Sequence, residues 1–196
     1  MVSHVCAPDH AGVVVLPCGA GKTLTGIMAA VTIKKATLIL CVNTLSVEQW
    51  REQFMQYTTI DFADIHMLTS GSRPPPSGLG PRPGRNGEPA RATVVVTTYP
   101  MIAYGGKRSA VASRAMAELQ RVEWGLLILD EVHQAPANSF RKVISACPSH
   151  AKLGLTGPIA QTLDSLFGSC NLAVHSGCVN VRAVLPPAPY SRENVK

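Results

Sequence analysis

Gly12-Val13-Val14-Val15-Leu16-Pro17-Cys18-Gly19-Ala20-Gly21-Lys22-Thr23, running directly into the helical stretch Leu24 to Val31, sets the architecture of this chain. An apolar strand that enters a Gly-rich turn and leaves as a helix is the context in which a phosphate-binding loop works. Glycines let backbone N–H groups curl around phosphate oxygens, and the helix aims the positive end of its dipole at the same anions. The candidate cradle for a nucleoside triphosphate is therefore Leu16, Pro17, Cys18, Gly19, Ala20, Gly21, Lys22 and Thr23, with Lys22 reaching the terminal phosphates and Thr23 offering its hydroxyl to Mg2+. The strict pattern opens on glycine where this chain has Leu16; the Gly-Lys-Thr ending is intact. The ordinary alternative is a Gly-rich turn that merely caps a helix.

Such a cradle needs an acidic partner at the end of another buried strand, and Trp124-Gly-Leu-Leu-Ile-Leu-Asp130-Glu131-Val-His133 supplies it. The run Leu126 to Leu129 has the continuous apolar character of a central parallel strand buried on both faces. Two adjacent carboxylates there have separate tasks beside Mg2+ and a nucleotide: Asp130 holds the metal's water shell, and Glu131 orients and deprotonates the attacking water. The catalytic set is then Lys22, Asp130 and Glu131, and the metal set Thr23 and Asp130. A solvated acidic turn is the bland alternative for the carboxylates taken alone.

The rest of the chain alternates in the same way. Short apolar segments at about 12–17, 37–42, 65–69, 93–97, 125–130 and 151–156 read as strands, and 21–31, 46–57, 109–121 and 138–146 as helices. Repeated strand and helix predict an α/β fold, a three-layer P-loop NTPase domain with a central parallel sheet and active loops at the C-terminal strand ends. Ser46 is read as the cap of the second helix, with Trp50 and Phe54 packing inward. Residues 70–91 hold four arginines among many Pro and Gly and lack apolar periodicity, which predicts a disordered insert.

With 46% hydrophobic residues in 196, one domain with a sizeable core is expected. The excess of 18 Lys+Arg over 12 Asp+Glu, a net charge of +6, suits a polyanionic partner. Aromatics are only 5%, so phosphates are a more natural target than base faces. Six scattered cysteines without a Cys-x-x-Cys form no disulfide framework, which predicts a reducing compartment. The N-terminus lacks a signal-peptide pattern, and no apolar run reaches the roughly 18 residues of a membrane span, so a soluble intracellular protein with no membrane partner is expected.

Taken together, Leu-Pro-Cys-Gly-Ala-Gly-Lys-Thr23, Ser46-Val-Glu-Gln-Trp50, Glu123-Trp-Gly-Leu-Leu-Ile-Leu-Asp-Glu-Val-His133 and Lys152-Leu-Gly-Leu-Thr156 closely resemble the xeroderma pigmentosum group B (XPB) family of superfamily 2 DNA helicases and translocases, over about residues 12–156. The resemblance implies the first RecA-like lobe of an ATP-driven DNA motor, with ATP and Mg2+ as cofactors and double-stranded or partly unwound DNA as partner. It also implies a nuclear protein working among the subunits of general transcription factor IIH, in transcription and nucleotide excision repair. Asn43, Thr44, Thr98 and Tyr99 would face the sugar-phosphate backbone, and His133 and Thr156 would couple the site to a second lobe. Turn and capping chemistry is the competing account of the first four.

The family continues after Thr156 with Ala-Thr and an Arg-Glu-Asp element, whereas this chain has Gly157-Pro158-Ile-Ala-Gln. Residues 1–11 are accordingly expected as an N-terminal remnant and 157–196 as a divergent tail foreign to the fold. Without the second lobe's arginines, turnover by the first lobe alone is expected to be slow or absent. A single-lobe nucleotide-binding module without unwinding activity is thus the alternative. A P-loop kinase is a third reading, against which Ser46 to Trp50 argues.

Overall fold

The computed structural model describes residues 10–70, 74–75, 77–84, 89–134, 137–157, 173–175 and 178–180. In chain order the elements are β1 (His10–Val15), α1 (Lys22–Ile33), β2 (Thr37–Cys41), α2 (Thr44–Tyr57), β3 (Ile65–Leu68), β4 (Val94–Thr98), α3 (Tyr99–Ala103), α4 (Ala110–Arg121), β5 (Trp124–Leu129), α5 (Ala137–Ala146), β6 (Ser149–Thr156), β7 (Ala173–His175) and β8 (Cys178–Asn180). The sheet order is β3-β4-β2-β5-β6-β1-β8-β7. From β3 to β1 every pairing is parallel, and β8 and β7 continue the sheet antiparallel beyond β1.

Why the central strands are apolar at every position follows from their two covered faces. Leu38 and Leu40 of β2, with Leu127 and Leu129 of β5, pack with Ile102, Met116, Leu119 and Val143 of α3, α4 and α5. The intervening Ile39, Cys41, Leu126 and Ile128 pack with Ile27 of α1 and Val47, Trp50 and Phe54 of α2. Period-two alternation therefore splits one apolar run between two cores, and the three-layer expectation holds. All six expected strands and four expected helices are present.

Several expectations shift. The first strand starts at His10, inside the segment read as a remnant; residues 1–9 lie outside the described part. The cap of α2 is Asn43, not Ser46: the helix starts at Thr44, and the Asn43 side chain accepts from the Ser46 N–H at 2.9 Å and from its hydroxyl at 3.1 Å. Helix α3 is additional to the expected elements, because five residues with a proline in the first turn carry no periodicity. In the segment expected as a tail, β7 and β8 lie against the β1 edge, while 158–172, 176–177 and 181–196 lie outside the described residues.

Over its described part, the 70–91 insert also differs from a solvated loop. Leu79 is fully buried in the core beneath α4, and its carbonyl accepts from Thr93 Oγ1 at 2.7 Å. Arg82 and Arg91 form an antiparallel bridge with backbone bonds of 3.0 and 2.7 Å. Both arginines converge on Asp64, whose side chain is 1% exposed, and Arg91 also bonds Asp61 at 3.0 Å. A lone leucine and a buried carboxylate in distant sequence positions give these residues a place to dock, which composition alone does not reveal. Residues 71–73, 76 and 85–88 lie outside the described part.

Candidate functional site

Parallel strands deliver their C-terminal ends to one edge of the sheet, and the loops after β1, β2, β4, β5 and β6 gather there. Leu16 leaves β1 with its N–H donating to the Thr156 carbonyl at the end of β6, 3.0 Å away. Gly19 and Gly21 then take φ of 78° and 89°, left-handed values open to glycine and strained for other residues. Leu16 is not among the left-handed residues, so the first position of the loop makes no demand for glycine. Gly21 caps α1 without any side-chain bond to the helix's first turn, and a Cβ built at Gly19 or Gly21 would meet open space. Backbone donors at a helix start, free of a side-chain cap and beside open space, fit an anion such as a nucleotide phosphate.

Lys22, the first residue of α1, directs its ammonium to the Leu16 carbonyl and to Glu131 Oε1, each at 3.4 Å. This brings together the loop after β1 and the carboxylates after β5, two strands that flank β6. Glu131 is held at φ 47°, in the left-handed region, and its carbonyl accepts from Gln134 N at 2.8 Å in the single turn Val132–Gln134. The other oxygen of Glu131 faces His133 Nδ1 at 3.2 Å, and the same nitrogen lies 2.9 Å from Thr156 Oγ1. Lys22, Glu131, His133 and Thr156 thus form one polar chain across three strand ends. Gly154 lets the neighbouring valines pack close to the backbone of β6: a Cβ there would stand 3.0 Å from Val132 and 3.2 Å from Val13.

Asp130 is gripped from both faces of the sheet. Trp50 of α2 donates its indole N–H to Asp130 Oδ2 at 2.8 Å, and Tyr99 of α3 donates its hydroxyl to the Asp130 carbonyl at 2.9 Å. Burial pushes the Asp130 carboxyl above the ordinary range. The Trp50 bond, the Glu131 backbone N–H and Lys22 oppose that shift, while the Glu131 charge adds to it. Burial, with Asp130 next, likewise raises the Cys41 thiol and the Tyr99 phenol, so both stay neutral at physiological pH. The hard oxygen donors Thr23 and Asp130 fit Mg2+ by donor type. Among the described residues no cluster of three or more His, Cys, Asp or Glu suits a metal.

The four residues expected to face DNA divide. Asn43 and Thr44 are exposed after β2, and Thr98 caps α3 by accepting from Met101 N at 3.4 Å. Tyr99 is a correction: it is 3% exposed, and its hydroxyl donates to the Asp130 main-chain carbonyl, so it braces the backbone at the strand end instead of facing a ligand. Trp50 is core-facing, as its place on α2 predicts, and its bond to Asp130 is the contact at the site that the pattern does not reveal. The residue type carries a signal, since a buried indole N–H needs an acceptor. No helix among the described residues is long and apolar enough to cross a membrane.

The family model described as the type III restriction enzyme, res subunit, matches residues 2–161. The chain is 46% identical over 157 residues to the general transcription and DNA repair factor IIH helicase/translocase subunit XPB of Antonospora locustae, a match covering 80% of this chain and 21% of that protein. It is 48% identical over 152 residues to subunit XPB2 of Arabidopsis thaliana, covering 78% and 18%. The chain therefore spans about a fifth of the length of these relatives. Among solved structures, the Pyrococcus furiosus Hef helicase domain matches with a TM-score of 0.55 at 22% identity, over 85% of this chain and 34% of that one. The UvsW helicase of bacteriophage T4 matches with 0.54 at 20% identity, over 82% and 50%. The shared fold is the RecA-like helicase lobe.

Proposed function

The chain belongs to the family described as type III restriction enzyme, res subunit, and from that premise we propose that residues 10–156 are the ATP-binding motor lobe of an XPB-type DNA translocase. The observation that carries the reading is the contact of Lys22 with Glu131 at 3.4 Å, which joins the Gly-rich loop to the acidic strand end. In this reading the relatives' role extends to the chain: a nuclear protein acting with general transcription factor IIH subunits, and with a second RecA-like lobe, on double-stranded or partly unwound DNA.

Residues 16–23 would cradle the triphosphate through backbone N–H groups, and Lys22 would exchange its contacts with Leu16 and Glu131 for phosphate oxygens. Thr23 and Asp130 would hold Mg2+, which when bound neutralises charge on the phosphates. Glu131 would accept the proton of the attacking water. His133, shared between Glu131 and Thr156, would report the state of that carboxylate to the end of β6. Asn43, Thr44 and Thr98 would meet the phosphate backbone of DNA, which fixes position without reading sequence.

ATP binding by the 196-residue chain, with and without duplex DNA, tests the reading. Lys22→Ala is expected to abolish ATP binding, and Glu131→Gln to preserve it while removing any turnover. Unchanged ATP affinity in Lys22→Ala would make the loop structural. ATP binding indifferent to DNA would favour a nucleotide-binding module over a motor lobe.

A further inference from the structure

Trp50 occupies a position that packing alone does not require. Its ring is 2% exposed, on the buried stripe of α2 with Val47 and Phe54, and it tilts against Phe54 with centroids 6.1 Å apart. It reaches α1 as well, because Gly26 leaves room for it: a Cβ at residue 26 would stand 2.6 Å from Trp50 Cη2. From this wedge between the two helices, the indole N–H crosses to the end of β5 and donates to Asp130 Oδ2 at 2.8 Å. Trp124, the chain's other tryptophan, satisfies its N–H with the ordinary backbone acceptor Leu119 O at 3.0 Å. A core indole could do the same; Trp50 instead spends its donor on a carboxylate assigned to the metal.

We propose that Trp50 is a positioning residue for Mg2+, fixing the rotation of the Asp130 carboxylate through Oδ2 and tying that orientation to the packing of α1 on α2. This rests on the reading of Asp130 as a metal-holding group. The carboxylate has two further restraints, the Glu131 backbone N–H and the Tyr99 hydroxyl on its carbonyl. Both act at or next to the main chain; among the described residues Trp50 is the side chain that hydrogen-bonds the carboxylate from a distant element, while Lys22 acts on it by charge. The element it comes from, α2, begins at the exposed Asn43 and Thr44, so a displacement of that helix start would be passed to the carboxylate through one rigid ring. Outer partners that orient metal ligands contribute on the order of 10- to 100-fold in metal affinity.

The test measures ATP affinity of the full chain by calorimetry in Mg2+ and in EDTA, for the parent and for Trp50→Phe, which keeps an aromatic ring and deletes the donor. The ratio of the two affinities is expected to fall about tenfold or more in Trp50→Phe, with the EDTA value within about twofold of the parent. Equal weakening in both conditions, or an unchanged ratio, would overturn the proposal by reducing Trp50 to core packing. A second measurement does not depend on the variant folding. In the 15N-labelled parent saturated with ATP, the Trp50 indole resonance is expected to shift when Mg2+ is added while that of Trp124 stays in place. A motionless Trp50 signal in a sample whose ATP affinity responds to Mg2+ would sink the idea while leaving the nucleotide site standing. Loss of all ATP binding by the parent would instead remove the underlying reading, and this proposal with it.

Discussion

At the scale of single residues, the acidic strand end is under backbone tension. Glu131 sits at φ 47°, a conformation that costs an L-residue about 1 kcal/mol or more. Its contacts with Lys22 and His133 hold it there. Comparing Glu131→Gly with Glu131→Ala isolates the backbone, since both delete the same side-chain contacts. Glycine is expected to be the more stable of the two by about 1 kcal/mol in chemical denaturation. Greater stability of the alanine variant would show that this conformation is not kept in solution. Nothing in Leu-Leu-Ile-Leu-Asp-Glu announces a left-handed residue. The motif identifies which groups meet at the site, and the torsion arises only when β5 must turn sharply into Val132–Gln134.

At the scale of elements, what could be read from the sequence was whatever local pattern enforces. Continuous apolar runs fixed β2, β4 and β5, and the Gly-Lys-Thr ending placed the start of α1 close to where it lies. The start of α2 was harder, because Asn43, Thr44 and Ser46 are all capping residue types and only geometry selects Asn43. Helix α3 and the burial of Leu79 depend on tertiary contacts that leave no periodic trace. The same is true of Gly26, an unremarkable helix glycine until α2 is laid across it. There Gly26→Ala, a change that raises helix propensity, is expected to destabilise by about 1–3 kcal/mol because the new methyl overlaps the Trp50 ring. A melting temperature at or above the parent's would show that the two helices separate easily.

At the scale of the whole molecule, the insert between β3 and β4 is strapped down by charge. Asp64 is buried beneath Arg82 and Arg91, so removing one arginine leaves a desolvated carboxylate short of a partner. Arg91→Ala is expected to free Leu79 and speed thermolysin cleavage there, with the rest of the domain intact; unchanged cleavage would locate the strap in Leu79 burial alone. The distribution of sulfur has a different consequence. Cys41 and Cys147 are buried with thiols pushed upward by desolvation, Cys147 to about 11, whereas Cys18 lies exposed in the Gly-rich loop. A maleimide should therefore alkylate Cys18 ahead of the other described thiols, block ATP, and be slowed by ATP bound beforehand, with Cys18→Ser abolishing the effect. The loop proposed to receive the nucleotide thus carries its own handle for covalent tagging, so occupancy can be followed at Cys18 by peptide mass spectrometry without substituting a residue.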